Sequence, residues 1–116
     1  MKIVKVKAEL EYQVQIGINA VEKIKEISDS HNKVLLVAPN SLISKFKIKP
    51  RANLKVFGTA DGENQKSLVT LDRVWKKCAS EGIKRSDAII GLGGGATTDL
   101  AGFASATWMR GIDWYA

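Results

Sequence analysis

Two short runs of consecutive apolar residues limit the possible folds of this chain more than any other feature. Residues 34–37 (Val-Leu-Leu-Val) and 88–92 (Ala-Ile-Ile-Gly-Leu) contain no polar side chain. Such runs predict strands buried on both faces, which is typical of parallel sheets covered by helices. Apolar residues at helical spacing over residues 20–27 and 67–79 predict covering helices. We therefore expect an α/β fold: a Rossmann-like, mostly parallel sheet with helices on both faces.

Weaker signals complete the predicted order of elements. Further strands are expected at residues 2–8, 12–16, 54–57 and 112–115. A last helix is expected from about Asp99 to Arg110, ended by Gly111. The buried stripe of the helix at 67–79 is expected to consist of Leu68, Leu71, Trp75 and Cys78. Because Ala116 falls inside an apolar strand, we interpret residues 1–116 as one domain, the amino-terminal part of a longer protein.

Composition narrows the class of protein. The net charge is +6, but the basic residues form no arginine block and show no regular interleaving with aromatic residues, so nucleic-acid binding is not expected. One cysteine, Cys78, and one histidine, His31, exclude an internal disulfide and a zinc cluster. No apolar run could span a membrane and no signal peptide is recognisable, so we expect a cytoplasmic protein without a membrane partner. Cys78 is expected to be a packed thiol and His31 a surface residue without a partner.

A strand, three glycines and a helix start follow one another over residues 89–99. Gly93-Gly94-Gly95 lets the backbone approach a ligand closely, and the following helix presents free amides and the positive end of its dipole. These are the requirements of a phosphate or pyrophosphate cradle. Asp99 is expected in the first turn, with Thr97 or Thr98 as N-cap. The Asp99 carboxylate either caps the helix or contacts a ligand. For the segment as a whole, the alternative is a tight glycine turn that binds no ligand.

A second polar segment, residues 61–66 (Asp-Gly-Glu-Asn-Gln-Lys), lies between a strand and a helix. Asp61-Gly62 is typical of a turn, and Glu63 and Lys66 are spaced for a surface ion pair. The segment also follows the carboxyl end of a strand, where open α/β sheets bind ligands. In that interpretation a carboxylate binds ribose hydroxyls and the lysine binds a phosphate. Spacing alone leaves both interpretations open.

Taken together, three segments of the sequence resemble the 3-dehydroquinate synthase family. They are Asp61-Gly-Glu-x-x-Lys66, Gly93-Gly-Gly-x-x-x-Asp99-Leu-Ala-Gly-Phe103 and Trp108-Met109-Arg110-Gly111. The resemblance implies an NAD-binding amino-terminal domain of a phosphate-eliminating lyase of the shikimate pathway. Such an enzyme converts 3-deoxy-D-arabino-heptulosonate 7-phosphate to 3-dehydroquinate and phosphate by transient NAD-dependent oxidation, phosphate elimination and an intramolecular aldol closure. It also implies a divalent metal (zinc or cobalt) held by a helical carboxyl-terminal domain that this chain lacks, and a homodimer at full length.

The resemblance also implies site residues. Residues 61–66 would line the adenosine side of NAD, with Glu63 on the ribose, and Asp99 would lie near the nicotinamide. The implied cofactor-binding residues are Asn40, Asp61, Gly62, Glu63, Asn64, Gln65, Lys66, Gly94, Gly95, Ala96, Thr97, Thr98 and Asp99. Arg110 matches the family's arginine that contacts the substrate phosphate, and no catalytic or metal-binding residue is implied within this chain. Thr98 stands where the family commonly has glycine, and we expect it to serve as the helix N-cap.

The sequence alone leaves other functions open. The iron-dependent alcohol and glycerol dehydrogenases share the layout and a Gly-Gly-Gly-x-x-x-Asp segment, although the 61–66 block and Arg110-Gly111 count against them. Other sugar-phosphate cyclases differ mainly outside this chain, and a non-catalytic nucleotide-binding module that assembles with a partner is a third alternative. We expect the isolated chain to be inactive and to bind NAD weakly or not at all. We also expect it to self-associate through Trp108, Met109, Trp114 and Tyr115.

Overall fold

The computed structural model describes residues 1–8 and 11–116. Six strands and four helices are found there, in the order β1 (Lys2–Val6), β2 (Tyr12–Ile16), α1 (Ala20–Asp29), β3 (Val34–Pro39), α2 (Asn40–Lys45), β4 (Leu54–Thr59), α3 (Leu68–Ser80), β5 (Ala88–Gly91), α4 (Gly95–Thr107) and β6 (Asp113–Tyr115). Two short 3₁₀ helices, Gly62–Gln65 and Trp108–Arg110, follow β4 and α4 respectively. Within the described ranges, no helix is long and apolar enough to cross a bilayer.

The centre of the fold is a four-stranded sheet in the order β4-β3-β5-β6, with every neighbouring pair parallel. Leu36 of β3 lies opposite Val56 of β4 on one side and Ile90 of β5 on the other. All six residues of β3 and all four of β5 are buried. The parallel α/β fold expected from the apolar runs is confirmed.

The two faces of the sheet carry separate cores. Leu35, Val37 and Ile89 pack with side chains from α3 and α4. The alternate strand residues, including Leu36 and Ile90, pack with side chains from α1 on the opposite face. Because successive side chains of a strand point to opposite faces, a strand between two helical layers must be apolar at every position. This explains the uninterrupted apolar runs.

Several details differ from the sequence predictions. The strands β1 and β2, both expected, form a separate antiparallel pair outside the parallel sheet. The helix α2 was not expected, since its six residues carry no side-chain cap and no buried residue. Leu68 does not belong to the buried stripe of α3: it is the first residue of the helix and is 81% exposed, and Val74 is buried on that helix instead.

His31 has partners, contrary to expectation. One ring nitrogen lies 3.1 Å from the Ser86 carbonyl oxygen, and the other lies 3.1 Å from the Tyr115 hydroxyl. The two aromatic rings also meet edge to face. His31 therefore ties the loop after α1 to β6, a strand 84 residues further along the chain.

Cys78 lies on the side of α3 that faces the core, and its thiol is fully buried, as expected. Burial raises its pKa to about 12 because the thiolate would lose its solvation. At pH 8 we expect the native thiol to react with an aromatic disulfide reagent about a thousandfold more slowly than the thiol of the unfolded chain, because its thiolate fraction is smaller by about that factor. As a control, Ala79→Cys in a Cys78→Ala background places a thiol at an exposed position of the same helix and should react fast. Equal rates for the folded wild type and the folded control variant would contradict the burial of Cys78.

The same shift predicts a loss of stability at alkaline pH. The native thiol keeps its proton up to a pKa of about 12, whereas an unfolded thiol loses it near its ordinary value. The free energy of unfolding should therefore fall as the pH rises from about 8.5 toward 12. Urea titrations between pH 8 and pH 10 should show a smaller fall for Cys78→Ala than for the wild type.

Candidate functional site

Three polar segments meet at the carboxyl edge of the parallel sheet. Asn40 and Ser41 follow β3, residues 61–66 follow β4, and the glycines 93–95 follow β5. Ser41 Oγ donates a hydrogen bond of 2.7 Å to Asp61 Oδ1, which joins the first two segments. The Asn40 side-chain amide lies directly over Gly58 of β4. The structure thus brings together segments that are far apart in sequence.

The segment 61–66 folds as a turn and one turn of 3₁₀ helix. Asp61, Glu63 and Asn64 are exposed, whereas Gln65 is buried with only 2% of its surface accessible. Gln65 Oε1 accepts hydrogen bonds from Thr59 Oγ1 at 3.1 Å and from Thr97 Oγ1 at 3.0 Å. The turn is therefore fastened both to the end of β4 and to the first turn of α4.

Lys66 forms the second link between the turn and α4. Its Nζ lies 2.8 Å from Asp99 Oδ2 and 3.4 Å from Glu63 Oε2. Hydrogen bonds to Asp99 first and to Glu63 second raise the pKa of Lys66 above its ordinary value, so the amine is protonated throughout the physiological pH range. The expected pair between Glu63 and Lys66 is present, and the pair with Asp99 was not expected.

The three consecutive glycines have different surroundings. Gly93 has a φ of +149°, and a Cβ there would lie 2.7 Å from Thr97 Oγ1 and 3.2 Å from Pro39 Cδ. Nothing lies within 4 Å of the position a Cβ would take at Gly94 or Gly95. Gly93 is therefore required by the packing of the protein itself, whereas Gly94 and Gly95 leave an open approach to the backbone.

The helix behind the glycines begins earlier than expected. The N-cap of α4 is Gly94, and Thr97 and Thr98 lie inside the first turn, so the expectation that a threonine caps the helix is wrong. Thr97 is buried and bonded to Gln65, while Thr98 Oγ1 lies within hydrogen-bond distance of the carbonyl oxygens of Gly94 and Gly95. Asp99 consequently lies beyond the first turn, where its carboxylate meets Lys66 instead of a free amide.

The backbone at the start of α4 can accept an anion. The amides of Thr97 and Thr98 donate hydrogen bonds to the Gly94 carbonyl oxygen. Gly95 and Ala96 come earlier in the helix, so their amides have no carbonyl acceptor within it. Both amides lie at the positive end of the helix dipole, beside the open positions over Gly94 and Gly95. These are the properties of a phosphate cradle.

Arg110 is separated from this cluster. It lies in the 3₁₀ turn after α4, with a φ of +65°, and not at the end of the α-helix itself, which stops at Thr107. Arg110 follows the carboxyl end of α4, whereas the glycines lie at its amino end, and a helix of 13 residues is about 20 Å long. Within the part of the chain that the structure describes, no three His, Cys, Asp or Glu side chains converge to hold a metal ion.

Sequence reasoning did not single out Ser41 and Thr59. Both hold the turn 61–66, Ser41 through Asp61 and Thr59 through Gln65. A polar residue at the end of an apolar strand was the only available signal for Thr59. Ser41 gave none, since its contact joins residues 20 positions apart.

Comparison with solved structures identifies the fold. The fold is that of 2-deoxy-scyllo-inosose synthase, a structure solved in complex with carbaglucose-6-phosphate, NAD⁺ and Co²⁺. The two superpose with a TM-score of 0.77 at 21% sequence identity over 97% of this chain and 34% of that one. A second structure of 2-deoxy-scyllo-inosose synthase gives a TM-score of 0.76 at 22% identity.

The family profile described as 3-dehydroquinate synthase N-terminal matches residues 56–116, and the chain belongs to this family. The 3-dehydroquinate synthase of Cutibacterium acnes is 37% identical over 97% of the chain, and that of Lactococcus lactis subsp. cremoris is 42% identical over 78%. The chain spans 31% and 25% of the length of these two curated relatives. The resemblance to this family that the sequence motifs indicated is confirmed.

The contrast between the glycines generates a stability prediction. Gly93→Ala should lower the free energy of unfolding by about 1–3 kcal/mol, because the added methyl group meets Thr97 and Pro39 and the φ is unfavourable. Gly95→Ala, the matched control, lies in the first turn of the helix with free space at its Cβ position and should change it by less than about 1 kcal/mol, in the stabilising direction. Urea unfolding measures both. A loss for Gly95→Ala equal to that for Gly93→Ala would show that the open surface at Gly95 is incorrectly placed.

Proposed function

We propose that this chain is the NAD-binding part of a 3-dehydroquinate synthase. The complete enzyme would convert 3-deoxy-D-arabino-heptulosonate 7-phosphate to 3-dehydroquinate and phosphate. Membership of the family supports the proposal, as do curated relatives of that name. The single observation on which it depends is the cradle at the start of α4, faced by the cation of Lys66.

The residues at the cradle fit a dinucleotide. The amides of Gly95 and Ala96 and the open surface at Gly94 suit a pyrophosphate, which requires close approach to backbone N–H groups. The exposed carboxylate of Glu63 suits a pair of ribose hydroxyls, since ionised carboxylates accept hydrogen bonds. Bound NAD would supply reversible hydride acceptance, which makes the neighbouring C–H of the substrate acidic enough for phosphate to leave.

The ion pair between Lys66 and Asp99 would exchange partners when a phosphate occupies the cradle. Both side chains are partly exposed, so their ion pair stabilises the fold little and can be exchanged for other partners. When a phosphate oxygen is present, Lys66 can share its protons between that oxygen and Asp99, since an ammonium group donates three hydrogen bonds. The raised pKa of Lys66 ensures that these protons are in place at neutral pH.

Other parts of the proposal concern the complete protein. Asn40, at the end of β3 and beside Gly58, would contact the cofactor from the neighbouring strand. Arg110 would bind the substrate phosphate away from the glycines, at the far end of α4. We place the divalent metal (zinc or cobalt) in a helical domain outside residues 1–116. We also propose that the complete enzyme is a cytoplasmic homodimer and that the isolated chain is inactive.

The activity itself is tested with the complete gene product and three substrates. We expect release of inorganic phosphate and formation of 3-dehydroquinate from the heptulosonate phosphate, with no net NADH. Cyclisation of glucose 6-phosphate would instead indicate a cyclase of the 2-deoxy-scyllo-inosose synthase type, the alternative that the shared fold favours. Net NADH production from glycerol would indicate a dehydrogenase, and failure in all three assays would favour a non-catalytic nucleotide-binding module.

The role of Lys66 is tested by Lys66→Met, which keeps the length of the side chain and removes the charge. We expect the dissociation constant for NAD, measured by calorimetry, to rise about tenfold, the value of one charge-assisted hydrogen bond. Thermal stability should hardly change, because the ion pairs of Lys66 are exposed. Lys76→Met is the matched control: it removes a lysine paired with Asp72 at 2.9 Å on the outer side of α3 and should leave NAD binding unchanged.

A further inference from the structure

We infer that Gln65 is a positioning residue: its buried side-chain amide locks the turn 61–66 to the first turn of α4 and keeps Lys66 at a fixed distance from the glycine cradle. The resemblance to the family implies a direct cofactor contact for Gln65, and the structure points to a different role. This inference rests on the proposed function, since the two locked segments are those proposed to hold NAD.

Burial distinguishes Gln65 from its neighbours. Among the six residues 61–66, all of them described, only Gln65 is buried. Its two hydroxyl partners are buried as well, with exposed fractions of 4% for Thr59 and 1% for Thr97. A hydrogen bond in such surroundings is strong, and the groups that form it are costly to leave without partners.

The two hydrogen bonds of Gln65 both use its side-chain amide oxygen. Oε1 accepts from Thr97 Oγ1 and from Thr59 Oγ1, which fills both lone pairs of a carbonyl oxygen. Thr59 Oγ1 also lies 3.0 Å from the Ala60 carbonyl oxygen and has one proton to share between two acceptors. The bond from Thr97, which links the turn to α4, is therefore firmer than the bond from Thr59, which links the turn to β4.

The buried link and the exposed ion pair join the same two segments. Lys66 follows Gln65 directly, and Asp99 lies two residues after Thr97. If the exposed pair were the only link, a phosphate that drew Lys66 away from Asp99 would also loosen the turn from the helix. With Gln65 in place, Lys66 can change partners while the separation between turn and cradle stays constant.

The test uses Gln65→Met in the complete gene product, because methionine fills the same volume without an acceptor. We expect the dissociation constant for NAD to rise about tenfold, while kcat at saturating NAD stays within about twofold of the wild type. Amide exchange at residues 94–98 should become faster. Ser105→Ala is the control: it removes a buried hydroxyl that donates to the Ala101 carbonyl oxygen on the same helix, away from the cradle.

Thr97→Val and Thr97→Ser provide a second route if Gln65→Met does not fold. The valine variant should weaken NAD binding like Gln65→Met, and the serine variant, which keeps the hydroxyl, should retain wild-type affinity.

The inference is overturned if Gln65→Met or Thr97→Val changes NAD affinity no more than Ser105→Ala does. If the wild-type protein binds no NAD, the proposed function fails. The lock is then judged by amide exchange alone: faster exchange at 94–98 in Gln65→Met supports it, and unchanged exchange refutes it.

Discussion

The parallel pairing of β3 with β4 and β5 determines where this domain can be polar. Both faces of β3 and β5 are covered, and their backbone groups are bonded to neighbouring strands. A polar side chain within these strands would lack both water and a partner, so polarity can begin only where the strands end. Because the strands run in the same direction, their carboxyl ends lie at one edge. Asn40, residues 61–66 and the three glycines are brought together for this reason.

The general fold could be predicted from the sequence because its causes are local. The strands β3 and β5 follow from apolar runs, and α3 follows from an apolar stripe with Gly82 after its end. The start of α4 could not be predicted, because preference for a side-chain N-cap pointed to Thr97 or Thr98. The structure caps the helix with Gly94 and leaves Thr97 for a buried bond to Gln65, a partner 32 residues away.

The candidate site, too, could be predicted from the sequence only in part. The motif blocks identified the turn 61–66 and the glycine segment, since residue type and spacing are visible in a sequence. The links between the blocks, from Gln65 to Thr97 and from Lys66 to Asp99, depend on the relative placement of β4 and β5, which spacing does not specify. Arg110 shows the opposite case: a motif joins it to the glycines in sequence, yet α4 separates it from them by the length of a helix.

Charge at this edge constrains how a dinucleotide could be held. The chain carries a net charge of +6, but the carboxylates of Asp61, Glu63 and Asp99 here outnumber the single cation of Lys66. Two carboxylates already share that cation, so Lys66 cannot by itself offset the two negative charges of a pyrophosphate. The backbone amides and dipole at the start of α4 must supply most of that attraction. The carboxylates suit hydroxyl donors instead, and Asp61 already accepts one from Ser41. The edge thus combines an anion cradle with acceptors for hydroxyls, the two requirements of a phosphorylated ribose.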